Sequence, residues 1–377
     1  MVTLRLVHTH ELKQAAALAD SIFRDEEQSS MGTAFPAIFS PGQSHSYGAF
    51  VEDRLVSFMG LVPFILQVGP ARLKVFSMGA VCTHPDYRGQ GLAGRLLDLC
   101  KQHAEEAGAS LLFISGDRSL YTRVHCYPFG RSERFALDAA GAARLAGAAR
   151  NAAAAERRLR PYTPADAFAV QEAASARSVA YAQSLTELLS LLGAEAYASC
   201  AKLAHQTLVA AQEPGGVDAF AVIAAPGRYP GKSPAQAIEW AGAPEAVAAL
   251  LGDAVERFSL PRLEVAVGWQ DRELAQLLRA AEVPAESSGN GGTVYLVNAA
   301  RLAEQAAPYW AASGAPQPAI AALEDGSYEL ALPGSTPVSL APGELISLLF
   351  DPESPHSQTV PGLLPIPLPY LNGLHFI

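Results

Sequence analysis

The chain predicts a mixed α/β protein in which two similar folds with mixed sheets stand in tandem, followed by a small α+β C-terminal domain. Three observations predict it. Tyr47 to Val51, Leu55 to Leu66 and Leu73 to Thr83 are apolar, β-prone runs joined by tight turns at Glu52-Asp53-Arg54 and Val68-Gly69-Pro70, the pattern of an antiparallel meander. After them, an amphipathic helix (Leu92 to Ala107) leads to Ser110–Ser115, a short, largely apolar run, so this strand lies parallel to the one before the helix, buried on both faces. From Leu159 onward the same order of elements begins again.

In chain order, Leu4 to Val7 reads as a first strand and His10 to Arg24 as a helix with Leu12, Ala16, Ala19 and Phe23 on one face. Asp25 to Ser44 mixes acidic, aromatic and Pro/Gly residues, as long binding loops do. Gly108 stops the Leu92 helix. A short helix near Tyr121 and a strand at Arg134–Leu137 close a first domain, residues 1–138. Residues 139–158 are Ala-rich and read as a linker with partial helix. Residues 159–300 repeat the first order: Leu159-Arg160-Pro161 echoes Leu4-Arg5-Leu6, and Ala219–Ala224, Ala237–Ala241, Arg262–Val267 and Thr293–Val297 read as strands around helices at Glu245–Phe258 and Arg272–Ala281. Residues 301–377 form a third part whose end, Leu363 to Ile377, is apolar, proline-studded and nearly uncharged. Chain ends are usually polar and frayed, so this one is expected to pack against something.

Composition bounds the function. At 377 residues, half of them hydrophobic and 17% charged, the chain is globular and long enough for two or three domains. Four scattered cysteines give neither a disulfide framework nor a zinc site, and no metal is expected. The net charge of −10 is concentrated at the end, where residues 301–377 carry one basic and seven acidic side chains; this argues against a nucleic-acid partner. With no leader-like start and no long uninterrupted apolar run, the chain reads as a soluble cytoplasmic protein without a membrane span.

The most informative stretch is Val81 to Leu97. A strand ending Val81-Cys82-Thr83-His84-Pro85 enters a basic, glycine-rich loop, Arg88-Gly89-Gln90-Gly91, and continues directly into the helix at Leu92-Ala93-Gly94. Unpaired N–H groups at a helix start, approached without Cβ atoms, make a phosphate or pyrophosphate site. A Walker loop needs a Lys-Ser/Thr pair that is missing here. Gly89, Gly91 and Gly94 do fit G-x-G-x-x-G, but a dinucleotide fold places that pattern at its first strand with an acidic residue about 20 positions on. Here several strands come first and Glu105-Glu106 fall inside a helix.

The spacing Arg88, Gly91, Ala93 after such a strand resembles the acetyl-CoA loop of the GNAT N-acetyltransferases, and the element order over residues 1–138 is similar to that family's. The whole chain resembles the three-part enhanced-intracellular-survival type, with an active GNAT domain, a degenerate second one and a sterol-carrier-like C-terminal domain. The resemblance implies acetyl-CoA as donor, held by Val81, Cys82, Thr83, Arg88, Gly89, Gln90, Gly91, Leu92, Ala93, Gly94, Gly116 and Asp117. It implies Tyr121 as proton donor to the departing thiolate and the terminal carboxylate of Ile377 as general base. It further implies a small-molecule amine as acceptor, with Asp25, Glu26 and Phe35 of the long loop as candidates to bind it, and a homo-oligomer. One departure stands out. The family context of the tyrosine resembles Tyr-x-Arg-x-Gly-Phe, whereas His125-Cys126 stand in place of Gly-Phe here. His84 and His103 read as a loop residue and a partly buried structural histidine. A non-catalytic protein that binds CoA or lipid is the alternative reading.

Overall fold

The computed structural model describes residues 1–42, 44–116, 121, 124–152, 156–212 and 215–377. It opens with strand β1 (Val2–Leu6) and helix α1 (Leu12–Phe23), whose buried face is Leu12, Ala15, Leu18 and Ala19. Two short helices follow, α2 (Met31–Ala34) and α3 (Pro36–Phe39), within the stretch expected to be a long loop. Strands β2 (Tyr47–Val51), β3 (Arg54–Val68) and β4 (Ala71–Thr83) form the expected antiparallel meander, with β1 on its outer edge. Helix α4 (Leu92–Glu106) buries Leu92, Leu96, Leu97, Cys100 and Ala104. Strand β5 (Leu111–Ile114) is buried throughout and parallel to β4, as its unbroken apolar run requires. Leu96, Leu97 and Cys100 of α4 pack on Met59, Leu61, Phe76 and Met78, which puts one core under the crossover helix. Each such side chain contributes roughly 1.5–3 kcal/mol when fully buried.

Next come β6 (Ser132–Leu137), helix α5 (Ala139–Ala152), β7 (Arg158–Pro161), α6 (Ala167–Ser175), β8 (Val179–Tyr181), α7 (Leu185–Ala194) and α8 (Ala196–Cys200). Strands β9 (Leu203–Gln212), β10 (Gly216–Pro226) and β11 (Ala235–Gly242) make a second antiparallel meander. Helix α9 (Pro244–Arg257) then crosses to β12 (Leu263–Gly268), parallel to β11, and α10 (Arg272–Ala280) and β13 (Ala285–Ser288) follow. The last part contains β14 (Thr293–Leu296), α11 (Ala299–Ala312), a three-stranded antiparallel sheet of β15 (Ala319–Ala322), β16 (Tyr328–Ala331) and β17 (Val338–Leu340), and α12 (Pro342–Phe350).

These elements group differently from the sequence division. One unit is Met1–Gly130 with Gly289–Leu371 and Ile377; the other is Arg131–Ser288 with Asn372–Phe376. Residues 301–371 therefore pack as part of the first unit. The closing strands are exchanged between the repeats. Strand β14 completes the first sheet against β5, Thr293 opposite Ile114. Strand β6, read as the end of the first fold, lies in the second sheet between β12 and β13, with Phe135 opposite both Val265 and Ala285. The Ala-rich 139–152 stretch is a core helix: Ala142, Leu145 and Ala149, on one face at i, i+3 and i+7, pack into the second unit's core. Gly252 of α9 lets the two helices approach closely, since a Cβ there would stand 3.2 Å from the Ala142 carbonyl oxygen. No described helix is long and apolar enough to cross a membrane.

Candidate acyl-transfer site

Strand β4 positions the site. It pairs with β3 along its whole length, but with β5 only from Val75 to Met78, a contact extended by the Ser115 N–H donating to the Met78 carbonyl at 3.3 Å. Beyond that point β5 has ended, and among the described residues no strand pairs with this edge of β4 from Gly79 to Thr83. A bulge sits there. Gly79 faces Gly60 and Cys82 faces Phe58, so Ala80 and Val81 stand opposite the single residue Met59, with Ala80 at φ +49°.

Past Thr83, a turn of Pro85–Tyr87 leads into the glycine loop. Gly89 (φ +76°) and Gly91 (φ +71°, the N-cap of α4) hold left-handed conformations that suit glycine, and Cβ atoms at 89, 91 or 94 would meet open space. The N–H groups of Gly89, Gln90, Gly91, Leu92, Ala93 and Gly94 have no protein partner among the described residues. They lie at the positive end of a 15-residue helix. A pyrophosphate fits that cradle. Arg88 donates through Nε to the Thr83 carbonyl at 3.2 Å, tying the loop to the end of β4. Thr83 Oγ1 and Ser57 Oγ lie 2.8 Å apart, and the buried Cys82 thiol is pushed up to about 12 by burial, so it stays protonated.

Tyr121 is buried against Met78, Ile114 and Cys126, at the carboxyl end of β5. Its ring edge lies 3.2 Å from where a Cβ on Gly116 would stand, and its carbonyl accepts from the N–H groups of Val124 and Cys126, both at 3.0 Å. His125 takes φ +64°, the conformation a glycine would supply, and Cys126 is fully buried. The His125-Cys126 departure therefore keeps a turn of the expected kind, at a cost of about 1–2 kcal/mol for a left-handed non-glycine residue. Asp117 lies outside the described residues. Gly116 is held from the exchanged strand, Thr293 Oγ1 donating to its carbonyl at 3.1 Å.

The terminal residue reaches strand β4. The carboxyl carbon of Ile377 and its oxygen lie 2.1 Å from the ideal Cβ position of Gly79, on the opposite face of β4 from Met78. Ile38 of α3 covers Gly60, the cross-strand partner of Gly79, so the 31–39 segment and the carboxyl group share a face. Phe35, between α2 and α3, is 3% exposed, with the Arg24 guanidinium 5.4 Å from its ring. Asp25 and Glu26 stand in the exposed turn after α1, where Asp25 Oδ1 accepts from the Glu27 N–H at 3.1 Å. Ile377 and the Ile38 segment thus share the Gly79 face of β4, while Tyr121 packs on its Met78 side, and Asp25 and Glu26 are exposed in the turn after α1.

Sequence reasoning passed over Gly60, Gly79 and Ala80. Its available signal was an isolated glycine in the middle of each of two paired strands, which marks a bulge or a close approach. It also passed over Asn290, buried beside Gly130, whose Nδ2 donates to the Leu368 carbonyl at 2.8 Å and whose carbonyl accepts from the Leu371 N–H at 2.8 Å. Those bonds fix the segment that leads to the chain end. His84 shapes the Pro85–Tyr87 turn and contacts Arg54 at 3.0 Å. His103 lies between Tyr47 (3.1 Å) and His45 (3.2 Å), and burial, then His45, holds its pKa below the ordinary value. Among the described residues no cluster of three or more His, Cys, Asp and Glu is arranged to hold a metal ion.

Comparison with known proteins supplies the family of the first domain. Residues 3–127 match the model of the acetyltransferase (GNAT) domain. No curated protein matches the chain. Among solved structures it is similar to a GCN5-related N-acetyltransferase from Anabaena variabilis (TM-score 0.65, 14% identity, 97% of this chain and 94% of that one). It is similar also to a probable N-acyltransferase from Enterococcus faecalis (0.64, 12%, 90% and 85%) and to Eis1 from Mycobacterium abscessus (0.60, 12%, 92% and 89%). At these identities the likeness is one of fold. Residues 3–127 are thus matched as a GNAT acetyltransferase domain, within a chain that has the fold of the GNAT-like acyltransferases.

Proposed function

We propose that this protein transfers an acetyl group from acetyl-CoA to the amine of a small molecule. The observation that carries this reading is the cradle of unpartnered N–H groups from Gly89 to Gly94, at the head of a β4 edge open from Gly79 to Thr83. The cradle suits the pyrophosphate of CoA, and the open edge suits the amide-bearing pantetheine arm, bound as an added strand.

Such an arm brings the thioester to the point where β4 and β5 part, beside Tyr121, and in this reading the Ile377 carboxyl group at Gly79 is reached by the acceptor. The neutral acceptor amine attacks the thioester carbonyl and, as its nitrogen becomes positive, gives one proton to the Ile377 carboxylate, which returns it through solvent to the Tyr121 phenolate at the end of the cycle. The C–N bond forms, the C–S bond breaks, and the departing thiolate takes its proton from the Tyr121 phenol. General-base and general-acid assistance of this kind is worth roughly 10²–10⁴ in rate each. The segment carrying Phe35 and Ile38, on the carboxylate's face of the sheet, is the acceptor wall.

The test is incubation of the full chain with acetyl-CoA and a panel of amines, following free CoA thiol. Amine-dependent thiol release supports transfer. Acetyl-CoA binding without release for any amine overturns it in favour of a binding protein. In Tyr121→Phe, kcat falls while acetyl-CoA affinity holds; unchanged turnover removes the role of the phenol.

A further inference from the structure

A charged contact ties helix α4 to the turn that carries Tyr121. The Lys101 ammonium, half-buried on α4, donates to the Val124 carbonyl at 2.8 Å. That carbonyl is the one left over where the turn ends. The Tyr121 carbonyl takes the N–H groups of Val124 and Cys126, both at 3.0 Å, and His125 then reverses the chain at φ +64°. No backbone N–H among the described residues donates to the Val124 carbonyl, which otherwise receives only the Cys126 thiol, at 3.9 Å. A lysine at such a position does the work of a helix C-cap.

Lys101 is turned away from the partner an exposed lysine would take. Glu105, one helical turn on, is bound to Arg301 at 3.0 Å instead. The Lys101 ammonium lies 4.0 Å from the centroid of the Tyr295 ring on β14. Burial pulls its pKa below the ordinary lysine value. A carbonyl oxygen and an aromatic face thus anchor a charge partly withdrawn from water.

Both ends of this link bear on one reaction. Helix α4 begins at the cradle, and Lys101 lies nine residues beyond Leu92, about 14 Å along the axis. A pantetheine arm of fixed length, held at the cradle, sets where the thioester lies. A phenol that serves the leaving sulfur must therefore keep a fixed distance from the same helix. Leu96, Leu97 and Cys100 pack in one apolar cluster with Tyr121, but apolar packing is non-directional. The bond from Lys101 supplies direction, because the Val124 N–H is itself bound to the Tyr121 carbonyl.

We propose that Lys101 is a positioning residue for acyl transfer: by holding the Val124 carbonyl, it fixes the Tyr121 phenol where it can protonate the departing thiolate. Lys101 acts through Tyr121 and touches neither substrate nor cofactor. This role rests on the acyl-transfer reading above.

A double-mutant cycle of Lys101→Met and Tyr121→Phe tests it, by steady-state thiol release from acetyl-CoA with an amine that the full chain acetylates. With Tyr121 present, Lys101→Met should lower kcat by about 10- to 100-fold, the effect of a displaced catalytic group, while calorimetry gives a Kd for acetyl-CoA within about twofold of the unaltered chain. With Tyr121→Phe already in place, the same substitution should change kcat by less than about twofold, since no phenol remains to be misplaced. Lys101→Gln, with its shorter stem, is expected to behave as Lys101→Met does, and it carries the cycle if the methionine variant does not melt cooperatively. A general loosening of the fold would lower kcat equally on both backgrounds. That result, or an unchanged kcat in both Lys101 variants, overturns the role of Lys101 and leaves acyl transfer standing. Absence of thiol release from the unaltered chain with every amine is the separate result that removes the acyl-transfer reading and this role with it.

Discussion

The carboxyl group of Ile377 stands where a side chain on Gly79 would begin, 2.1 Å from the ideal Cβ position. A glycine in the middle of a buried strand weakens it by roughly 0.5–1 kcal/mol relative to alanine. At this position it makes room for the end of the chain. In Gly79→Ala the methyl group and the carboxyl group compete for one space, and the chain end is the freer of the two to move. Acyl-transfer kcat/KM is expected to fall by about 10²–10⁴, the usual contribution of a positioned base. Stability should change by no more than about 1–3 kcal/mol. Steady-state kinetics with a thermal melt checks both, and a normal rate in Gly79→Ala would dissociate the carboxylate from catalysis.

Helix α4 carries its own control for the cradle. Gly91 at its start and Gly108 just past its end both have left-handed φ, +71° and +76°, and both face open space. Alanine at either position costs about 1–2 kcal/mol of backbone strain. Only at position 91 does the added methyl group stand among the unpartnered N–H groups. Gly91→Ala and Gly108→Ala should therefore melt alike, while only Gly91→Ala loses acetyl-CoA affinity, by about tenfold or more. Equal affinities in calorimetry would place the cofactor elsewhere.

Where sequence reading succeeded, the signal was local. The meander, the glycine loop, the Leu92 stripe and the doubly buried β5 are each written in a few neighbouring residues. The exchange of closing strands is not. Ser132–Leu137 alternates in the same way whether its partner is β5 or β12, because periodicity gives the buried face and says nothing of the neighbour. The 139–152 helix was masked by its composition: alanine and glycine look like a linker until a second small-residue helix, α9, is brought against them. The seat of Ile377 depends on a contact between the two most distant parts of the first unit, which no window of sequence contains.

The exchange itself is open to test. A polypeptide ending at residue 138 keeps β6 without β12 or β13 and leaves β5 without β14, so one strand is orphaned and a buried strand gains an open edge. Its core also loses Val294 and Leu296, both buried. It is expected to aggregate or to melt without a cooperative transition. A polypeptide joining residues 1–130 through a flexible linker to 289–377 restores β14 and should recover cooperative melting by calorimetry. Cooperative folding of 1–138 alone would mean that β14 is dispensable to the first sheet.

The repeat is deeper than the order of its elements. Arg5 holds Glu11 through two bonds of 2.8 and 2.7 Å, and Arg160 holds Asp166 through two of 2.7 Å, six residues on in each case. Each carboxylate also accepts a backbone N–H at 2.8 Å, from His8 and from Thr163, at the start of a short 3₁₀ turn. The faint echo between Leu4-Arg5-Leu6 and Leu159-Arg160-Pro161 is thus the visible end of a conserved-geometry clamp between first strand and first helix. Hydrogen bonds from Arg5 and then the His8 N–H hold the Glu11 pKa down to about 2, against the opposing effect of burial, and Arg160 holds Asp166 well below the ordinary carboxylate range. A carboxylate with a depressed folded-state pKa contributes stability above its unfolded pKa of about 4 and loses that contribution as pH falls toward the folded value. Unfolding free energy should therefore drop as pH goes from about 5 to about 2. Glu11→Gln should remove about 1 kcal/mol at neutral pH, flatten the slope across that window, and leave the protein nearly unchanged at pH 2. Urea titrations at pH 7, 4 and 2 measure it, and parallel pH profiles for the two proteins would show that the clamp at Glu11 does not contribute.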